Sequence, residues 1–211
     1  MGESMARSFR TVPLLKDKCV PPKLFEIFVF TCALRALKEL GATFEVRDNT
    51  DKKTGKLVFR LGPGTLSAPA SAPGFVLVKY QKDEYELQTN LRVSGRSSVL
   101  HELDVCLLSR KETQRCRSSG TDPKSNSAKL LLECKYYGDS IPLNLGREYL
   151  GLSSEFSGRV KTFVYNLDNN PSIQSLISTH RGTSSFLISP LEPQRVTAFI
   201  GWLKVELAQV L

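Results

Sequence analysis

Asp104 lies in the run Leu100-His-Glu-Leu-Asp-Val-Cys-Leu-Leu, and Glu133 and Lys135 lie in Leu131-Leu-Glu-Cys-Lys-Tyr-Tyr. Short apolar runs of this kind predict buried strands, in which side chains alternate between two faces. Glu133 and Lys135 then share a side and Cys134 points away. By the same rule Asp104 shares a side with Glu102 and Cys106. Two carboxylates and an ammonium on otherwise apolar strands are costly to bury without a task. A hard divalent cation bound by the carboxylates supplies one, and such a cation can acidify water and polarise a phosphoryl oxygen.

The Asp…Glu-x-Lys pattern of Asp104, Glu133 and Lys135 resembles the PD-(D/E)XK, or restriction-endonuclease-like, superfamily of metal-dependent nucleases. Leu103 stands where that family's proline usually precedes the Asp. Phe25-Glu26, followed by Leu37-x-x-Leu40-Gly41, resembles the opening and close of the first helix in the Mrr-type branch. The resemblance implies an α/β fold, a mixed central β-sheet flanked by helices with a restriction-endonuclease-like core. It implies Mg2+ or Mn2+ bound by Asp104, Glu133 and the backbone carbonyl of Cys134, with Glu26 joining directly or through water. It implies phosphodiester hydrolysis leaving a 5′-phosphate, Lys135 supporting the attacking hydroxide, and DNA favoured over RNA. Cutting a duplex then needs two sites, hence a homodimer. Arg147, in the helix after the Glu-x-Lys strand, is the candidate for the substrate phosphate.

The elements that must position these residues follow from local signals. Residues 1–22 read as a flexible basic arm, and 23–211 as one nuclease-like domain. Pro21-Pro22 opens a helix from about Lys23 to Leu40, stopped by Gly41. At 100° per residue, Thr31, Arg35, Lys38 and Glu39 share a polar face, while Glu26 lines up with Phe30, Ala33 and Leu37. Glu26 is either a first-turn acid favoured by the helix dipole or a group facing the metal site. Strands are expected at 43–47, 57–61, 75–81, 84–93, 99–108, 130–136, 160–166 and 184–188. Helices are expected at 143–156, 172–179 and 193–211. The second half alternates β and α, which predicts a partly parallel sheet. Residues 109–129 read as a mobile basic loop beside the active site, with Arg110 and Lys111 as candidate backbone-phosphate contacts. Tyr136, Tyr137 and Tyr149 could stack on bases or serve the core, and His101 is expected to point away from the site.

Composition narrows the function classes. The net charge of +8 suits a polyanionic partner as well as simple solubility. Five cysteines without a C-x-x-C pair read as reduced cytoplasmic thiols, neither a disulfide framework nor a zinc site. Two histidines argue against imidazole-based metal or triad chemistry. The stretch Leu24 to Leu40 is broken by Glu26, Arg35, Lys38 and Glu39, so no membrane partner is expected. Two alternatives stand beside the nuclease: a non-catalytic nucleic-acid-binding or assembly module that keeps the fold, and an unrelated enzyme. For the latter the chain offers neither a Gly-rich phosphate loop nor a nucleophile elbow.

Overall fold

The computed structural model describes residues 21–67, 73–158, 160–168 and 170–211. Helix α1 (Pro21–Glu39) is followed by β1 (Thr43–Arg47), β2 (Phe75–Tyr80), β3 (Asp83–Ser94) and β4 (Leu100–Ser109). Next come α2 (Arg110–Ser119), a 3-10 turn (Ser125–Ser127), β5 (Ala128–Lys135), α3 (Leu143–Ser154) and β6 (Val160–Tyr165). The chain closes with α4 (Pro171–Thr179), β7 (Ser184–Ser185) and α5 (Pro193–Ala208). Among the described residues, seven strands form one mixed sheet in sequential order, flanked by five helices. The β1–β5 neighbours are antiparallel, whereas β5–β6 and β6–β7 are parallel. That switch follows from the connections: turns join β2 to β3 and β3 to β4, while α3 and α4 carry the chain back across the later strands.

Two apolar cores cover the two sides. One packs α1 and α5 on Val78, Leu87, Val105, Leu107, Leu130 and Leu132. The other sets Tyr149, Ile173 and Ile177 against Leu103, Cys106, Leu131 and Phe163. Leu103 and Cys106 are three apart yet enter the same core, while Val105 enters the other. The strict alternation expected of this strand therefore breaks at Asp104. The cause sits across the ladder. Pairing passes from Thr89↔Val105 to Leu91↔Leu103, and the intervening Asn90 has φ 48°. A left-handed residue inside a strand kinks it, and Asn tolerates that conformation better than most residues.

Three expectations need correction. Residues 57–61 form no strand; the segment is irregular and is fastened by the buried Arg60, which donates to Gln88 Oε1 at 2.6 Å. The strand expected at 184–188 shortens to two residues, and Leu187 turns to φ 55°. Residues 109–129 do not form a loop. Arg110–Ser119 is a helix closed by Gly120 at φ 65°, and its Cys116 is fully buried. A buried carboxylate that the sequence reading did not weigh pins this helix. Glu86 accepts hydrogen bonds from Arg110, from Thr113 Oγ1 and from both terminal nitrogens of Arg117. The expected arm lies outside the described residues except for Pro21 and Pro22, which begin α1.

Candidate active site

The ladder between β4 and β5 runs only as far as Val105↔Leu132. Beyond it the strands part: Leu103 and Glu102 of β4 stay paired with Leu91 and Arg92 of β3, while Glu133, Cys134 and Lys135 pair with Phe163, Val164 and Tyr165 of β6. The fork leaves the Cys134 N–H without a β4 carbonyl. Asp104 Oδ2 accepts it at 2.8 Å, which fixes the Asp104 carboxylate between the two strands. The Cys134 thiol turns into the α1 core, where burial first, and then the surrounding carboxylates, push its acidity far out of reach. Only its backbone is available to the fork.

Four carboxylates gather here. Glu133 and Asp104 project at the fork, Glu102 comes from the start of β4, and Glu26 descends from α1. Glu26 is 6% exposed, so the first-turn, solvent-facing reading is incorrect. Burial raises its carboxyl above the usual range, and the Asp104 charge raises it further. Burial and then Asp104 also raise Glu102 and Glu133. Two cations oppose them. Lys135 Nζ lies 2.5 Å from Glu133 Oε1 and 3.8 Å from Asp104 Oδ2, and the two acids hold its ammonium protonated beyond the usual range despite burial. Lys23 Nζ lies 2.8 Å from Glu26 Oε1.

Sequence reasoning missed Lys23 and Asn90. The Asn90 amide donates to Glu26 Oε2 at 2.8 Å and to the Arg60 carbonyl at 3.1 Å, and its oxygen accepts from Lys23 at 2.7 Å. An Asn amid β-formers, in a strand type that disfavours it, was the available signal.

The side chains at the fork are of the type that a hard cation takes. Among the described residues no three Asp, Glu, His or Cys side chains already stand together as a metal shell. Glu102 Oε1, however, is buried without a hydrogen-bond partner. A buried carboxylate oxygen without a partner is expensive as it stands, and all four acids carry the hard oxygen donors that Mg2+ or Mn2+ takes.

The remaining sequence candidates separate. Arg147 is exposed on α3 and has no ion-pair partner among the described residues. Arg110 is committed to Glu86 and Asp51 and is not open to a ligand. Lys111 follows it, past the end of β4 remote from the fork, so neither residue lies beside Asp104 as expected. The antiparallel pairing of β4 with β5 dictates this, because their connection must lie at the opposite end from the fork. Tyr137 and Tyr149 pack in the second core, whereas Tyr136 is 41% exposed beside Lys135 and lies 5.9 Å from the Phe25 ring. His101 faces Phe156 and Glu155, away from the carboxylates. No helix among the described residues is long and apolar enough to cross a membrane. Comparison with known proteins gives no matching family model, no matching curated protein and no matching solved structure.

Proposed function

We propose that this protein is a metal-dependent nuclease of the PD-(D/E)XK type, hydrolysing phosphodiester bonds, most readily in DNA. The observation that carries the reading is the convergence of Glu26, Glu102, Asp104 and Glu133 on the strand fork beside Lys135, with one buried Glu102 oxygen unpartnered. The order of elements supports a restriction-endonuclease-like core: a helix, antiparallel strands carrying Asp104, the Glu-x-Lys strand, then a helix and a parallel strand.

Asp104, Glu133 and the Cys134 carbonyl are the groups that would hold Mg2+ or Mn2+, with Glu26 and Glu102 within reach of the same charge. When bound, such an ion supplies Lewis acidity toward a phosphoryl oxygen and lowers the pKa of water. The chain's own groups do the rest. Asp104 keeps the fork open by capping Cys134 N–H. Lys135 presents a positive charge to the phosphate and opposes the charge that grows in the transition state. Asn90 and Lys23 hold Glu26 toward Asp104. Arg147 on α3 and the exposed ring of Tyr136, next to Lys135, are the proposed contacts to backbone and base. Cutting both strands of a duplex would require two copies of the chain.

The test is cleavage of supercoiled plasmid and of single-stranded DNA with Mg2+, with Mn2+ and with EDTA. The wild type is expected to cut only with metal, and Asp104→Asn and Lys135→Ala are expected to lose cutting. Cutting that persists in Asp104→Asn would refute the site. DNA binding without cutting in any metal would favour a non-catalytic module instead.

A further inference from the structure

A second charged feature lies on the other side of the molecule from α1. A cleft of about 410 Å3 opens between the end of α3, the start of β6 and the turn after α4, lined by Tyr149, Ser153, Lys161, His180, Arg181 and Thr183 among others. Its lining contains no Asp or Glu. Lys161 sits partly buried in its wall and donates to the Ser153 and Phe156 carbonyls at 2.7 and 2.8 Å. Those bonds cap the end of α3 and leave the third ammonium proton uncommitted. Burial, and then the Arg96 guanidinium, pull the Lys161 ammonium below its usual range. The Arg96 N–H donates to the Glu155 carbonyl at 3.0 Å, which seats the β3–β4 turn against the end of α3. Glu155, just past the end of α3, is already engaged by the Ser97 N–H at 2.8 Å and the Ser97 hydroxyl at 2.7 Å. Arg96 and Arg181 are exposed and make no side-chain hydrogen bond or ion pair among the described residues, although the Arg96 charge is among those that lower the Glu155 carboxyl, after its hydrogen bonds from Ser97.

At the back of this positive cleft is a polar group without a partner. Tyr149 is 1% exposed, and its hydroxyl makes no well-aligned hydrogen bond, although Ser153 and the Thr183 backbone lie near it. A buried hydroxyl left in that state costs free energy. Cations in a lining without an acid, a hydroxyl with a proton to donate and space for a ligand call for the same thing, an oxyanion with several acceptor oxygens.

We propose that the cleft of Tyr149, Lys161, His180, Arg181 and Thr183, with Arg96 at its rim, binds a phosphate group. The phosphate could belong to a nucleic-acid backbone or to a free phosphate compound. The proposal does not depend on the carboxylate fork.

Two probes distinguish the sources, both in EDTA so that no cleavage intervenes: a labelled oligothymidylate and inorganic phosphate. The variant is Arg96→Gln combined with Arg181→Asn, since Asn tolerates the φ of 56° found at Arg181. A backbone ligand predicts that the slope of log K against log salt for the oligonucleotide shrinks by about 1.4 in the double variant, two contacts at about 0.7 each. A free phosphate compound predicts that inorganic phosphate raises the Tm of the wild type but not of the variant, with oligonucleotide binding unchanged. Tyr149→Phe, which removes only the unpartnered hydroxyl, is expected to keep the wild-type Tm and weaken whichever probe binds. Equal oligonucleotide slopes together with no effect of phosphate on the wild-type Tm would overturn the proposal.

Discussion

Replacing Glu86 with Gln is expected to unfasten α2 and to destabilise the whole protein. Glu86 is fully buried, and its two oxygens serve Arg110, Thr113 and Arg117. The guanidiniums of Arg117 and Arg110 also lie over the Phe75 ring, at 4.5 and 5.3 Å, so the cluster ties β2, β3 and α2 together. Glutamine keeps the shape but removes the charge, and its amide presents hydrogens toward guanidinium hydrogens. Arg110 is the residue most exposed to this loss, because its side chain is 6% accessible. It would keep only Asp51 as an ionic partner. Removing one partner of a buried pair costs about 3–5 kcal/mol. A domain of this size shifts by about 2–4 °C per kcal/mol, so a fall in Tm of about 6–20 °C is expected. Urea denaturation and calorimetry read the loss, and hydrogen exchange reads its place: amides of 110–119 should lose protection first. Glu84→Gln is the control. Its carboxylate is exposed and 3.8 Å from Lys79, so its loss should stay within about 0.5 kcal/mol. If Glu86→Gln falls no further than that control, the cluster does not hold the helix and the reasoning fails.

Three smaller predictions follow from the same packing. Asn90→Gly should retain more stability than Asn90→Ala, by about 1 kcal/mol in urea titrations, because alanine resists the left-handed backbone at φ 48°; equal losses would mean that the kink is not strained for alanine. Gly64→Ala should cost about 1–3 kcal/mol, since a Cβ there would meet Arg60 Cδ and Nε at 2.8 Å and Arg60 is buried and bonded at both ends; an unchanged denaturation midpoint would show that Arg60 can yield. Glu45 is held at about 2, below its ordinary 4.5, by Lys79 first and then Arg47. A depressed folded pKa contributes stability above 4.5 that is lost as pH falls toward 2. Glu45→Gln should therefore narrow the stability difference between pH 5 and pH 2 slightly, since the pair is at the surface, and a wider difference would reverse the sign argued here.

Much of the scaffold was legible because its signals are local. Pro21-Pro22 and Gly41 bracket α1, and continuous apolar runs mark β4, β5 and β6. That Glu133 and Lys135 share a face could be read from strand alternation, whereas Asp104 joined them only through the motif resemblance, because the alternation of its own strand breaks there. What could not be read depends on partners far away in the chain. The polar run after Ser109 looks like a loop until Glu86 is seen buried beneath it, and Glu86 itself sits in Glu84-Tyr-Glu-Leu-Gln, which reads as a strand with a solvated face. The kink at Asn90 escaped for the same reason: period-two reasoning assumes the regular ladder that this residue breaks. Arg110 and Lys111 were placed beside the site by chain proximity, whereas the direction of β4 carries them away from it.

The most direct test of the carboxylate fork is a Mn2+ titration followed by the paramagnetic resonance signal of the free ion, comparing wild type with Asp104→Asn and Glu102→Gln. The account predicts saturable uptake of Mn2+ by the wild type, competition by Mg2+, and loss or marked weakening of uptake in Asp104→Asn, with Glu102→Gln intermediate. Undiminished Mn2+ binding in Asp104→Asn, or no binding by the folded wild type, would contradict it.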